Sequence, residues 1–189
     1  MQSNATFDWN QYFNAFQNVL NPEIFSQIID SQIEIELASI NAIICVGEIL
    51  TSKNVIKNEV KYQIFSKSNA NYYDFMIILK NIIDLPVIYP KSIRCCAIKQ
   101  IGNIVKRVNS KDSQFLKTVY EYADDFSQRL LSTAKIAKEF VISYLNALGK
   151  MAIDVRLQHT LLTVIEKYVR SINTFDLDTQ IEICKAVKY

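Results

Sequence analysis

The side chains in this chain that could do chemistry are few and scattered. His159 is the only histidine. No Ser, Cys or Asp stands in a triad-like relation to it, so it reads as a partly exposed helix residue and not as a general base. Glu121, Asp124 and Asp125 place three carboxylates on one stretch. Proton transfer or metal binding would need a second cluster converging on them. None is visible, so a solvated helix face is expected. The four cysteines, Cys45, Cys95, Cys96 and Cys184, include no C-x-x-C pair. With a single histidine available, a zinc site is not expected. Cys45, Cys95 and Cys96 sit in apolar helical segments, as buried free thiols do. Adjacent Cys95 and Cys96 point to different sides of a helix. Lys106-Arg107 could meet phosphate or an acidic partner, but cations near a helix C-terminus also suit the helix dipole. The three glycines all fall in helical segments, which leaves none for a phosphate loop or a nucleophile elbow. The chain is therefore read as non-enzymatic, with no catalytic, cofactor-binding or metal-ligating residue assigned.

Two aromatic groups could instead bind. Phe7, Trp9, Tyr12, Phe13 and Phe16 open the chain and could anchor a partner or lipid, or cap the end of a helical stack. Tyr72, Tyr73, Phe75 and Met76 lead into Ile77-Ile78-Leu79, a segment apolar on nearly all sides and expected to be central and buried. Asn4-Ala5-Thr6 is a formal glycosylation sequon, relevant only to a secreted chain.

The elements that position these residues are helices. Half of the 189 residues are apolar, 21% are charged, and Gly and Pro number three each. Sheet proteins of this length usually need more turn glycines. Apolar residues recur every three or four positions in four stripes. The first is Ile93, Ala97, Ile101, Ile104 and Val108. The second is Phe115, Val119, Ala123, Phe126 and Leu130. The third is Val141, Leu145, Leu148 and Met151, and the fourth is Leu157, Leu161, Val164 and Tyr168. The spacing predicts helices over 6–20, 22–30, 33–52, 54–67, 71–84, 91–109, 112–131, 134–151, 154–171 and 177–189. Pro22 suits a first helical position. Pro86 and Pro90 bracket a non-helical link, and Asp112 and Asp176 are expected N-caps.

The glycines occupy matching positions. Ala42 and Gly47, Ala97 and Gly102, and Ala147 and Gly149 lie in similar frames, with glycines 55 and 47 residues apart. Ile93-Arg94, Ala97 and Ile101-Gly102 resemble the second helix of a HEAT hairpin, and Asp154-Val155-Arg156 repeats its opening without the glycine. A helical glycine costs about 1 kcal/mol against alanine, an expense met where another helix approaches closely. One repeat cannot bury its own apolar face, so neighbours must stack. The expected fold is all-α: a single HEAT/armadillo-like domain over 1–189, built as a right-handed superhelix of stacked antiparallel helix pairs.

Charge is uneven. Residues 1–52 carry six carboxylates and no Lys or Arg, leaving the remainder at +8 against an overall +2. Such asymmetry can steer a partner. No basic cluster interleaved with aromatics suggests nucleic acid, and no apolar run is long enough to span a membrane. The start lacks a signal-peptide pattern. The end stops inside an apolar-periodic helix without a cap, so the chain is read as a segment of a longer protein.

Lys91 to Tyr189 resembles the α-helical domain of the large lipid transfer proteins, the family of vitellogenin, apolipophorin and the microsomal triglyceride transfer protein. The likeness rests on Ile93-Arg94, Ala97, Gly102 and Ile104-Val105, then the long helix from Gln114 to Leu131. It continues in Tyr144-Leu145-Asn146-Ala147-Leu148-Gly149, Leu161 to Val169, and Gln180 to Val187. Lys150 stands where the family has Asn. The resemblance implies lipid binding and transport by a full-length parent, with this segment forming the helical layer around a lipid cavity and contacting partners, in the secretory pathway. Without it, the residues fit an intracellular, cytoplasmic HEAT-type scaffold that binds a protein or peptide on its concave face. A helical-repeat repair enzyme fits poorly, because no basic groove with a converging carboxylate is visible.

Overall fold

A computed structural model describes residues 32–52, 62–64, 67–70, 72–132 and 136–186, together with Ala15, 18–21 and Glu23. The aromatic opening (Phe7, Trp9, Tyr12, Phe13, Phe16), the sequon, Pro22 and most of the first two expected helices lie outside the described residues. The described elements are seven α-helices, one short two-stranded ribbon and a 3-10 turn. We number the helices α1 (Gln32–Leu50), α2 (Tyr72–Asp84), α3 (Lys91–Val108), α4 (Ser113–Leu131), α5 (Lys138–Met151), α6 (Val155–Arg170) and α7 (Leu177–Ala186). The strands are β1 (Tyr62–Ile64) and β2 (Lys67–Ala70). The all-α class holds apart from this ribbon.

One expected element is corrected. The helix expected over 54–67 is not continuous, because Tyr62–Ile64 pairs antiparallel with Lys67–Ala70, placing Tyr62 opposite Ala70. The reason is legible in the residues. Val60, Tyr62 and Ile64 alternate with Lys61 and Gln63, a period of two and not 3.6. The β-branched and aromatic types also favour a pleated strand.

The chain divides into two compact units, Met1–Ile93 and Arg94–Tyr189. In the first, α1 buries Ala42, Ile43, Val46 and Leu50, and α2 buries Phe75, Met76, Leu79, Ile82 and Ile83. The expectation that this apolar segment is central and buried holds for one face of α2 but not for Ile77, which is 39% exposed. Helical geometry explains this: a single contact face covers only the residues three and four apart. Backbone groups near the core are taken up by side chains. Tyr89 Oη donates to the Leu20 carbonyl at 2.9 Å, Ser39 Oγ to the Val19 carbonyl at 3.1 Å, and Ser92 Oγ to Glu36.

The four apolar stripes read from the sequence, which lie in the second unit apart from Ile93, are buried, with Val108 half-buried. Helix starts are capped as the residue types dictate. Asp112 accepts from the Gln114 and Phe115 amides at 3.0 Å, and Asp176 from the Thr179 amide at 3.0 Å. Asp154 caps α6 through the Leu157 amide at 2.9 Å. Helix α3 ends at Asn109, which adopts a positive φ of 41° that Asn tolerates better than most residues.

Cross-helix contacts fix the chain directions. Arg94 lies over the Phe140 ring and Asn103 meets Lys150, so α3 and α5 run the same way. Tyr120 meets Asp154, and Lys167 and Tyr168 reach the Leu130 carbonyl, so α4 and α6 also run parallel. Lys138 and Asp176 pair the starts of α5 and α7. Consecutive helices also touch: Phe126, late in α4, packs on Tyr144, midway along α5. Within the second unit α3 thus runs parallel to α5, and α4 parallel to α6. Gly102 sits where the α3 and α5 backbones approach, and a Cβ there would lie 2.7 Å from the Ala147 Cα. Ala42, Gly47, Ala97, Ala147 and Gly149 are buried too.

Candidate functional site: an arginine and aromatic cleft

The second unit carries an open cleft of about 480 Å³ lined by residues of α3, α4, α5 and the α4–α5 link, among them Arg94, Asp125, Arg129, Phe140 and Tyr144. Each side chain is set by its helix. Arg94 follows buried Ile93 on α3 and projects over the Phe140 ring, 4.8 Å from its centroid. Phe140 stacks in turn on Tyr144, with ring centroids 6.3 Å apart. On α4, Asp125 and Arg129 are one turn apart, and Arg129 Nε donates to Asp125 Oδ2 at 2.8 Å. Arg129 also reaches the Tyr144 hydroxyl at 3.5 Å.

Arg94, Arg129 and Asp125 put charged groups around an aromatic floor. Burial pushes the Tyr144 phenol above its ordinary value, and the neighbouring arginines oppose the shift only in part. The phenol therefore stays protonated at neutral pH and can donate a hydrogen bond. Guanidiniums and a phenol donor bind and orient a carboxylate or phosphate; fixed charges of this kind confer recognition.

The residues singled out from the sequence are not drawn together here. His159 is exposed on α6. Asp124 pairs with Arg156 at 3.3 Å and Asp125 with Arg129, so the acidic run resolves into two separate ion pairs. Glu121 is exposed. Cys95 is buried, Cys45 and Cys96 are half-buried and Cys184 is exposed; all four are thiols outside any disulfide. Burial is the main cause pushing the Cys96 thiol up to about 11. Lys106 and Arg107 do lie in the last turn of α3.

Sequence reasoning missed Arg129 and the capping role of Asp154. Arg129 has a signal in its spacing from Asp125. Asp154 has one in its place before an apolar-periodic run, where it both caps α6 and accepts the Tyr120 hydroxyl at 2.6 Å. Arg156 lies over the Tyr120 ring at 4.3 Å and completes that cluster.

No family model, curated protein or solved structure matches this chain. Among the described residues no helix is long and apolar enough to cross a membrane.

Proposed function

We propose that this chain is a non-catalytic helical-repeat scaffold, a HEAT-like right-handed superhelical segment that presents the Arg94–Arg129 cleft to an acidic stretch of a partner protein. The observation carrying this reading is the parallel pairing of α3 with α5, closed on Gly102 and Ala147. Equivalent helices that repeat in one direction and nest through small residues are how a repeat buries its apolar face on its neighbour. Clefts between such helices are natural docking sites. The test is capture of a partner at one-to-one stoichiometry by the whole protein, repeated with Arg94→Glu. The reading expects the partner to be retained by the parent and lost from the variant. Equal retention by both would remove the cleft from the account.

A second reading keeps the helical layer of a lipid transfer protein, supporting a lipid cavity in a full-length parent. Beyond the resemblance, it draws support from α6, where Val155, Leu162 and Val169 recur at seven-residue intervals and are 80%, 61% and 47% exposed. An apolar row of that kind suits a covering sheet or lipid. Phospholipid extracted from native full-length protein favours this reading, and its absence there counts against it.

A further inference from the structure

Two helices leave apolar rows uncovered. On α1, Ile33, Leu37 and Ile44 are 76%, 56% and 41% exposed, with half-buried Ile40 between them. Their spacing of four, three and four residues sets them on one side of the helix, as at the a and d positions of a coiled coil. On α6, Val155, Leu162 and Val169 stand one heptad apart and are exposed as well. Single exposed apolar residues are ordinary, but rows of them mark contact surfaces. At a helical rise of about 1.5 Å per residue the α1 row is about 16 Å long and the α6 row about 21 Å, so one can lie along the other.

The two rows differ in the charge beside them. The exposed charged residues of α1 are Glu34 and Glu48, and no Lys or Arg occurs in residues 1–52. On α6 the charged residues are Arg156, Glu166, Lys167 and Arg170, a net positive set that stays positive with the neighbouring Asp124 counted. Arg156 pairs with Asp124 and Arg170 with Glu166 across exposed surface, where such pairs are weak and readily exchanged. The contrast extends to the two compact units. Met1–Ile93 has nine carboxylates against six Lys and Arg, whereas Arg94–Tyr189 has fifteen Lys and Arg against ten carboxylates.

We propose that α1 of one copy of this chain docks on α6 of a second copy, apolar row on apolar row, with the carboxylates of the first beside the guanidiniums of the second. Pairing like with like is disfavoured: α1 on α1 would gather carboxylates from both copies, and α6 on α6 would gather guanidiniums. The contact is therefore heterologous, each copy contributing a different surface. One helix on another over about four turns buries less than the roughly 800 Å² per partner of a standard interface, so a weak, micromolar association is expected. The Arg94–Arg129 cleft takes no lining residue from α1 or α6, so the proposal does not depend on its role. It gives the α6 row a protein occupant in place of lipid.

Sedimentation velocity of the whole protein over a concentration series reads the association. The parent should form species larger than the monomer, and raising the salt from about 0.05 to about 0.5 M should weaken them several-fold. Leu37→Asp and Leu162→Asp alter exposed side chains and should keep the melting temperature of the parent. Each should be monomeric alone, because the first lacks the α1 surface and the second the α6 surface. Mixed in equal amounts, they should form a one-to-one dimer through the two surfaces left intact. Val87→Asp, at an exposed apolar residue outside both rows, should associate like the parent. A parent that stays monomeric at every concentration overturns the proposal, as does one that sediments with phosphatidylcholine vesicles and not with itself. A mixture of the two variants that stays monomeric also overturns it, as does association abolished by only one of the two substitutions, the behaviour of a row that pairs with its own copy. Equal loss in Val87→Asp has the same consequence.

Discussion

Gly102 and Ala147 touch backbone to backbone: a methyl placed on Gly102 would sit 2.7 Å from the Ala147 Cα and 3.1 Å from its carbonyl oxygen. Both obstructions are main chain, so neither can rotate aside. Gly102→Ala should therefore destabilise the protein by about 1–3 kcal/mol through overpacking, despite the roughly 1 kcal/mol that alanine gains in helix propensity. Urea unfolding measures it. A variant as stable as the parent would mean that α3 and α5 do not meet at this point.

Phe126 is fully buried with its ring 5.0 Å from that of Tyr144. Phe126→Ala should cost about 3–5 kcal/mol, the range for deleting a core aromatic. The same denaturant titration reads the loss. A cost near that of a surface substitution would remove this pair from the centre of the second unit.

Asp154 does two jobs where Asp112 does one, capping a helix and also accepting the Tyr120 hydroxyl. Asp112→Ala should cost about 1 kcal/mol. Asp154→Ala should cost more, by about another 1 kcal/mol for the side-chain hydrogen bond. A double-mutant cycle of Tyr120→Phe with Asp154→Ala isolates the shared portion, and purely additive losses would show that the two side chains are uncoupled.

The Asp176 carboxyl is held below its ordinary value of 3.8, first by the Thr179 amide and then by the Thr179 hydroxyl and Lys138, against the opposing effect of burial. A pKa depressed in the folded state contributes stability that is present above the unfolded value and lost as pH falls through the folded one. Asn caps a helix without titrating. The stability advantage of the parent over Asp176→Asn should therefore be widest at neutral pH and close as pH drops below 3.8. Thermal melts across the acid range check this, and a gap that widens on acidification would reverse the assignment.

Thiol reactivity should sort by burial. Cys184 is exposed, whereas Cys95 is buried and the Cys96 thiol is raised to about 11, which keeps it protonated at neutral pH. Alkylation followed by mass spectrometry should modify Cys184 first and Cys96 only after unfolding. Early labelling of Cys96 would contradict its placement.

The four apolar stripes and the caps at Asp112 and Asp176 were readable because they are local: a helix declares its buried face every three or four residues, and a cap depends on its next two or three neighbours. The ribbon at Tyr62–Ile64 is also written locally, in its alternation, although the expected helix over 54–67 runs across it. The nesting at Gly102 was anticipated from the small residue alone, since a helical glycine that costs propensity implies a close neighbour. Which residue lies opposite was not, because Ala147 is 45 positions away in sequence. The cleft was not legible either. Arg94, Arg129 and Tyr144 converge only once α4 packs against α5, and Lys150 meets Asn103 only once α3 and α5 lie side by side. Periodicity and residue type specify each helix and the face it hides. The identity of the partner across each seam, and so every candidate binding group, comes from packing between distant segments, which no local pattern encodes.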